Sequence, residues 1–273
     1  MSYSKGSYRF LDVGGTFVMC DDGQVVPIRS QGTAEEISDA LRMSVGDLSG
    51  ISGIGVAIPG PFDFREGVFR MEHKFGAVRG RTFRSLAGVP ADMPMRFMHD
   101  VHAALTGAVR MLGIRGDTAL VTLGTGLGFG FTRGGRVQAN EKGSPARSLY
   151  NLPYRDGILE DYVSARGIRN LYAGLGGDPG LTPLQIASRA GFGEQAARDA
   201  FSAAGALLAE YLAPVLEEYR IDTLLFGGQI SRSFVLMEGP VRKALGRLPW
   251  LHRIDALPEG AVFQGLASLF ENA

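Results

Sequence analysis

The sequence predicts an α/β protein with mixed sheets and two lobes. Three observations carry this. Strand-like apolar runs alternate with helical patterns along the chain. Glycine supplies 39 of 273 residues, about twice the ordinary share, and clusters at the ends of those runs. One strand-and-turn motif also occurs twice, which suggests duplication. At 45 % hydrophobic residues the chain can build a substantial core. With 28 Lys+Arg against 28 Asp+Glu it has no global field to draw nucleic acid or an anionic membrane, so neither is expected as a partner. The single Cys20 excludes an intramolecular disulfide. Nothing near Met1 has the apolar stretch of a signal peptide or a membrane span, so a cytoplasmic protein is expected.

The first strand runs from Tyr8 to Val13 and ends in Gly14-Gly15-Thr16. Thr33 and Glu36 form a capping box before a helix that places Ile37, Leu41, Val45 and Leu48 on one face. A second strand and turn is Ile54 to Pro61, and a strand from Met95 to His99 precedes a short helix over 101–112. The third strand and turn is Leu120 to Gly128. A long Ala-, Leu- and Glu-rich helix is expected over 194–219, a fourth strand and turn at Thr223 to Gly228, and a last helix over 259–271. Leu11 to Thr16 and Val121 to Gly126 are the duplicated motif: an apolar strand, a polar residue, then a Gly/Thr turn. Either turn alone reads as an ordinary glycine hairpin. Together they read as two cradles that aim backbone N–H groups and a Thr hydroxyl at phosphate. There is no Gly-Lys dipeptide for a Walker A loop, and the glycines from Gly124 to Gly130 alternate without giving G-x-G-x-x-G.

These residues resemble the ROK sugar kinases of the actin/hexokinase superfamily over nearly the whole chain. Asp12 to Thr16 is similar to that family's first phosphate loop, and Gly55 to Pro61 to its G-x-x-x-P-G-P element. His99 to Ala104 is similar to its Asn-Asp-Ala-Asn-Ala-Ala segment, Leu123 to Gly128 to its second phosphate loop, and Phe226 to Ser231 to its adenosine element. The resemblance implies a two-lobed actin-like ATPase (ribonuclease H-like) fold with nucleotide and sugar in an interlobe cleft. The expected lobes are residues 1–115 with 259–273, and residues 116–258. The implied activity is ATP-dependent phosphorylation of a sugar or polyol hydroxyl, with a homodimer expected.

By that resemblance, Gly14, Gly15 and Thr16 cradle the β- and γ-phosphates from one lobe, and Thr125 and Gly126 from the other. Asp12 would hold Mg²⁺ through water, since that ion keeps much of its hydration. Gly227 and Gly228 would let adenosine approach the backbone, although a turn leading into a helix explains the pair as well. Asp100 would be the general base; as residues alone it reads equally as a helix N-cap. His99 and His102 have no third ligand at a suggestive spacing and do not read as a metal pair.

Departures from the family concentrate where the sugar would bind. The stretch corresponding to its Glu-x-Gly-His element and cysteine-rich zinc loop reads Glu141-Lys142-Gly143-Ser144, then Tyr154 to Glu160, with no cysteine, so no structural zinc is expected. Glu141 and Glu160 remain candidate acceptors for sugar hydroxyls, or surface carboxylates. Pro61, Lys74, His99 and Ser144 complete the expected sugar pocket, His99 and Lys74 standing where the family has Asn. The position after Gly14-Gly15-Thr16, commonly Lys in the family, is Phe17. A catalytically weak sugar-binding or regulatory protein is therefore the alternative reading. A DNA-binding repressor is disfavoured, because only eleven residues precede Asp12.

Overall fold

The computed structural model describes residues 8–271; residues 1–7 and 272–273, and with them the stretch read for a signal peptide and the outer ends of the expected lobes, lie outside the described residues. The chain divides into two compact units. One comprises Met1–Gly113, Ala139–Ala146 and Pro258–Ala273, the other Ile114–Gln138 and Arg147–Leu257.

The first unit is built on strands β1 (Tyr8–Val13), β2 (Phe17–Cys20), β3 (Val25–Pro27) and β4 (Gly53–Ile58), a small hairpin of β5 (Phe62–Asp63) and β6 (Val68–Phe69), and β7 (Met95–His99). Its five-stranded sheet has the order β3-β2-β1-β4-β7, with β1, β4 and β7 parallel and β2 and β3 antiparallel. Every residue of β4 is buried, as a parallel strand covered on both faces requires, whereas β2 alternates between exposed and buried residues. Helix α1 (Ala34–Val45) opens on the capping box of Thr33 and Glu36 and buries Ile37, Leu41 and Val45. Helices α2 (Phe83–Ala87) and α3 (Asp100–Met111) follow. Phe62, Phe69, Phe75, Phe83 and Phe97 form a connected aromatic cluster that packs the β5–β6 hairpin onto this core.

The second unit holds β8 (Thr118–Leu123), β9 (Leu127–Arg133), β10 (Arg136–Val137), a hairpin of β11 (Pro153–Tyr154) and β12 (Gly157–Ile158), β13 (Thr223–Gly227) and β14 (Arg253–Ala256). Its sheet order, β10-β9-β8-β13-β14, repeats that of the first unit: an antiparallel hairpin extension on one side and parallel strands on the other. Helices α4 (Glu160–Val163), α5 (Ala165–Gly174), α6 (Pro183–Gly191), α7 (Gln195–Tyr219) and α8 (Val235–Leu245) complete it. By length and composition α7 could cross a membrane. In this fold it is the spine of the second core, with Phe201, Leu208, Leu212 and Leu216 fully buried.

The expected last helix is shorter than 259–271: α9 spans Ala261–Ala267, and a 3₁₀ turn covers Ser268–Phe270. It belongs to the first unit and lies against α3 at a crossing of two glycines. A methyl on Gly107 would fall 1.7 Å from the Ala261 carbonyl oxygen, and one on Gly265 would fall 1.9 Å from that of Ala103. Phe270 then seats on Tyr8, with ring centroids 4.4 Å apart.

Residues 139–146, expected within the 116–258 lobe, pack in the first unit instead. They form a tight turn in which the Asn140 N–H donates to the Ser144 carbonyl, and Asn140 Oδ1 accepts from the N–H groups of Lys142 and Ser144. Gly143 meets the Phe64 ring, a contact nothing in the local sequence announces.

Candidate functional site

The turn between β1 and β2 is held from both sides. The Gly14 N–H donates to the Phe17 carbonyl at 2.9 Å, that of Ser30 to the Gly15 carbonyl at 3.3 Å, and that of Ile28 to the Thr16 carbonyl at 2.9 Å. The N–H groups of Gly15 and Thr16 make no hydrogen bond among the described residues. Two successive unpaired N–H groups on a pinned turn suit an anion. A methyl on Gly15 would lie 3.4 Å from Ser30 Oγ and 3.8 Å from both Cδ and Cε of Lys74. Asp12 is one residue back from the end of β1, in register with Ala57 on β4.

Asp100 is the first residue of α3, directly after β7. The helix N-cap is His99, so the N-cap reading of Asp100 is corrected. Asp100 Oδ1 accepts the Val101 N–H at 2.7 Å and lies 2.8 Å from His99 Nδ1, which donates to it. Both held contacts fall on one carboxylate oxygen, and Oδ2 is left for a ligand. The imidazole of His99 packs near the Phe64 ring, with centroids 5.9 Å apart. It also borders the β4–β5 turn: a methyl on Gly60 would sit 2.8 Å from Ser144 Oγ and 3.6 Å from His99 Nε2. Pro61, His99, Asp100 and Ser144 are thus gathered at one place in the first unit.

Burial and the neighbouring charge of Asp100 push the Asp12 carboxyl from the usual 3.8 up to about 7. Burial also opposes ionisation of Asp100, but the charge and hydrogen bond of His99, the Val101 N–H and the charge of Lys74 outweigh it and hold that carboxyl below its usual range. The two neighbouring carboxyls are thus pushed in opposite directions. Because the folded-state pKa of Asp12 is raised, its contribution to stability is complete below pH 3.8 and is lost as pH climbs through about 7. In metal-free buffer, the stability of wild type minus that of Asp12→Asn should therefore fall between pH 4 and pH 8, read from urea midpoints. A flat difference would remove the raised carboxyl.

In the second unit the turn after β8 repeats the pattern. The Gly124 N–H donates to the Gly126 carbonyl and the Ala165 N–H to that of Gly124, which ties the turn to the start of α5. The N–H groups of Thr125 and Gly126 are unpaired among the described residues. Glu160 stands behind this turn: its Oε2 accepts the Leu127 N–H at 2.9 Å and lies 2.7 Å from where a methyl on Gly126 would be. That carboxylate braces the second turn, a role the sequence reading missed. Gly228, at φ 86°, lies against the backbone of Leu123, where a methyl would come within 2.3 Å of the Leu123 carbonyl oxygen. A methyl on Gly227 would meet Leu257 at 2.7 Å. Close packing against backbone requires glycine at 228, whereas at Gly227 the Leu257 side chain would have to give, and the packing sets Gly228 beside the turn of Thr125 and Gly126. Glu141 is exposed at the tip of the 139–146 turn. Among the described residues no group of three His, Cys, Asp or Glu side chains could hold a metal.

No protein-family model matches the chain, and no curated protein is similar to it. Solved structures are similar in fold. A ROK family glucokinase from Streptomyces griseus, in complex with glucose and AMPPNP, matches with a TM-score of 0.79 at 22 % identity, over 98 % of this chain and 100 % of that one. A ROK hexokinase from Thermus thermophilus matches with 0.70 at 21 %, over 95 % and 96 %. A ROK family transcriptional regulator, a homologue of the E. coli MLC protein, matches with 0.76 at 16 %, over 96 % of this chain and 77 % of that one. The chain has the actin-like α/β fold of the ROK glucokinases, as its motifs predict.

Proposed function

We propose that this protein transfers the terminal phosphoryl group of ATP to a hydroxyl of a sugar or sugar derivative, with Asp100 as general base. One observation carries the reading: in the first unit, a carboxylate with one oxygen held and one free lies beside Pro61, Ser144 and His99 and is electrostatically coupled to Asp12 of the phosphate-turn strand. The fold shared with the AMPPNP- and glucose-bound glucokinase supports it.

In this reaction the sugar hydroxyl oxygen bonds to the γ-phosphorus and its proton passes to Asp100 Oδ2. The bond to the bridging oxygen breaks, and ADP leaves with that electron pair. The N–H groups of Gly15 and Thr16, and those of Thr125 and Gly126, each supply a phosphate cradle. Gly227 and Gly228, packed against Leu257 and Leu123, are candidates to meet the adenosine through their backbone. Pro61, Ser144 and His99 orient the sugar, and Glu141 is a candidate hydroxyl acceptor. Asp12 suits a divalent cation: a half-buried carboxyl raised by desolvation and by a neighbouring acid gains from a hard ion that prefers oxygen. Mg²⁺ there would neutralise charge on the donor phosphates.

A sugar-responsive protein without turnover is the second reading. It is favoured by the fold match to a transcriptional regulator and by Phe17, an exposed ring beside the phosphate turn. An ADP-release screen across hexoses, amino sugars, acylamino sugars and cyclitols separates the two. A clear hit that is absent from Asp100→Asn is expected, whereas a wild type that binds a sugar yet releases no ADP would favour the second.

A further inference from the structure

Lys74 was expected in the sugar pocket, yet its surroundings are those of a phosphate ligand. The backbone on both sides of it is tied to the segment behind the first phosphate turn. The Phe75 N–H donates to the Ser30 carbonyl at 2.5 Å, and Gln31 Nε2 donates to the His73 carbonyl at 3.4 Å. Ser30 in turn donates its N–H to the Gly15 carbonyl, so Lys74 rides on a strap fastened to the turn itself. The strap is seated by Phe75, which is fully buried, takes a left-handed φ of 56° and packs on Phe69 with ring centroids 5.3 Å apart.

From this strap the aliphatic stem of Lys74 runs along Gly15, and its charge acts on Asp100. The side chain is half-buried, and its ammonium makes no salt bridge among the described residues. An ammonium carried past the phosphate turn with no anion of the protein in contact is placed to take one from a ligand. The anionic group that passes between a phosphate turn and a general base is the phosphoryl group itself.

We propose that the Lys74 ammonium binds the terminal phosphoryl group of the donor and follows it toward the acceptor, in place of binding a sugar hydroxyl. This deepens the kinase reading and rests on it. A compact ammonium suits a group in motion, because it acts as a point charge without a fixed bidentate geometry.

The test is titration calorimetry of AMPPNP and of ADP, each with MgCl₂, against wild type, Lys74→Met and Lys74→Arg, with melting curves as the fold control. Wild type should bind AMPPNP more tightly than ADP. Lys74→Met should weaken AMPPNP about tenfold to a hundredfold, the worth of a charged hydrogen bond, and leave ADP within about twofold. Lys74→Arg should keep most of the preference. An unchanged preference in Lys74→Met, or equal loss for both nucleotides, overturns the inference alone. So does weaker sugar binding with the preference intact, which would return Lys74 to the acceptor. A wild type that binds neither nucleotide overturns the kinase reading, and this inference with it.

Discussion

Asp100→Asn is expected to lower kcat about 10²–10⁴-fold on the cognate sugar, the usual worth of general-base catalysis. At 1.36 kcal/mol per decade this is roughly 3–5 kcal/mol of barrier. The amide keeps an oxygen to accept from Val101 N–H and His99 Nδ1–H, so the local geometry should survive. The Val101 N–H at the start of the helix therefore keeps its acceptor. Sugar affinity and melting temperature should therefore move little while turnover collapses. Steady-state kinetics with calorimetric sugar binding would show this, and a variant with wild-type kcat would remove Asp100 from the mechanism.

A large loss of stability is expected from Gly265→Ala. Its methyl would overlap the Ala103 carbonyl oxygen at 1.9 Å, and because that atom is backbone no side-chain rotation relieves the clash. Relief requires α9 to lift from α3, which would loosen Leu266 and Phe270 from their cluster with Phe10, Ala57 and Ala103. Overpacking ordinarily costs 1–3 kcal/mol; with backbone on the receiving side we expect about 3 kcal/mol or more. Gly174→Ala is the contrast. It closes α5 with nothing within 4 Å of the added methyl, and should stabilise by about 0.5 kcal/mol. Urea midpoints of the two variants should move in opposite directions, and equal shifts would refute the packing argument.

What reads off the sequence here is local. Thr33 and Glu36 are three residues apart and cap α1 wherever α1 goes. The glycine turns after β1 and β8 declare themselves because an apolar strand and a Gly/Thr turn are contiguous, and the repeated motif leads on to two sheets of the same order. What does not read off the sequence depends on distant partners. Lys74 meets Gly15 only through the strap that Phe75 anchors on Ser30. Glu160 reaches Leu127 across 33 residues, and nothing in the residues around it hints that a turn amide is its partner. Residues 139–146 leave the unit that flanks them because Gly143 fits against Phe64, a match of shapes with no sequence period.

The late return of α9 also sets an order of assembly. The whole of the second unit lies between Ile114 and Leu257, interrupted only by residues 139–146, and is fully synthesised before residue 258 is added. The first unit begins earlier but stays incomplete, because the glycine face of α3 and the ring of Phe10 wait for Gly265, Leu266 and Phe270. Domains ordinarily fold in the order they leave the ribosome. In this protein the half made second is the half able to finish first, and the nascent first half carries bare apolar surface through most of translation.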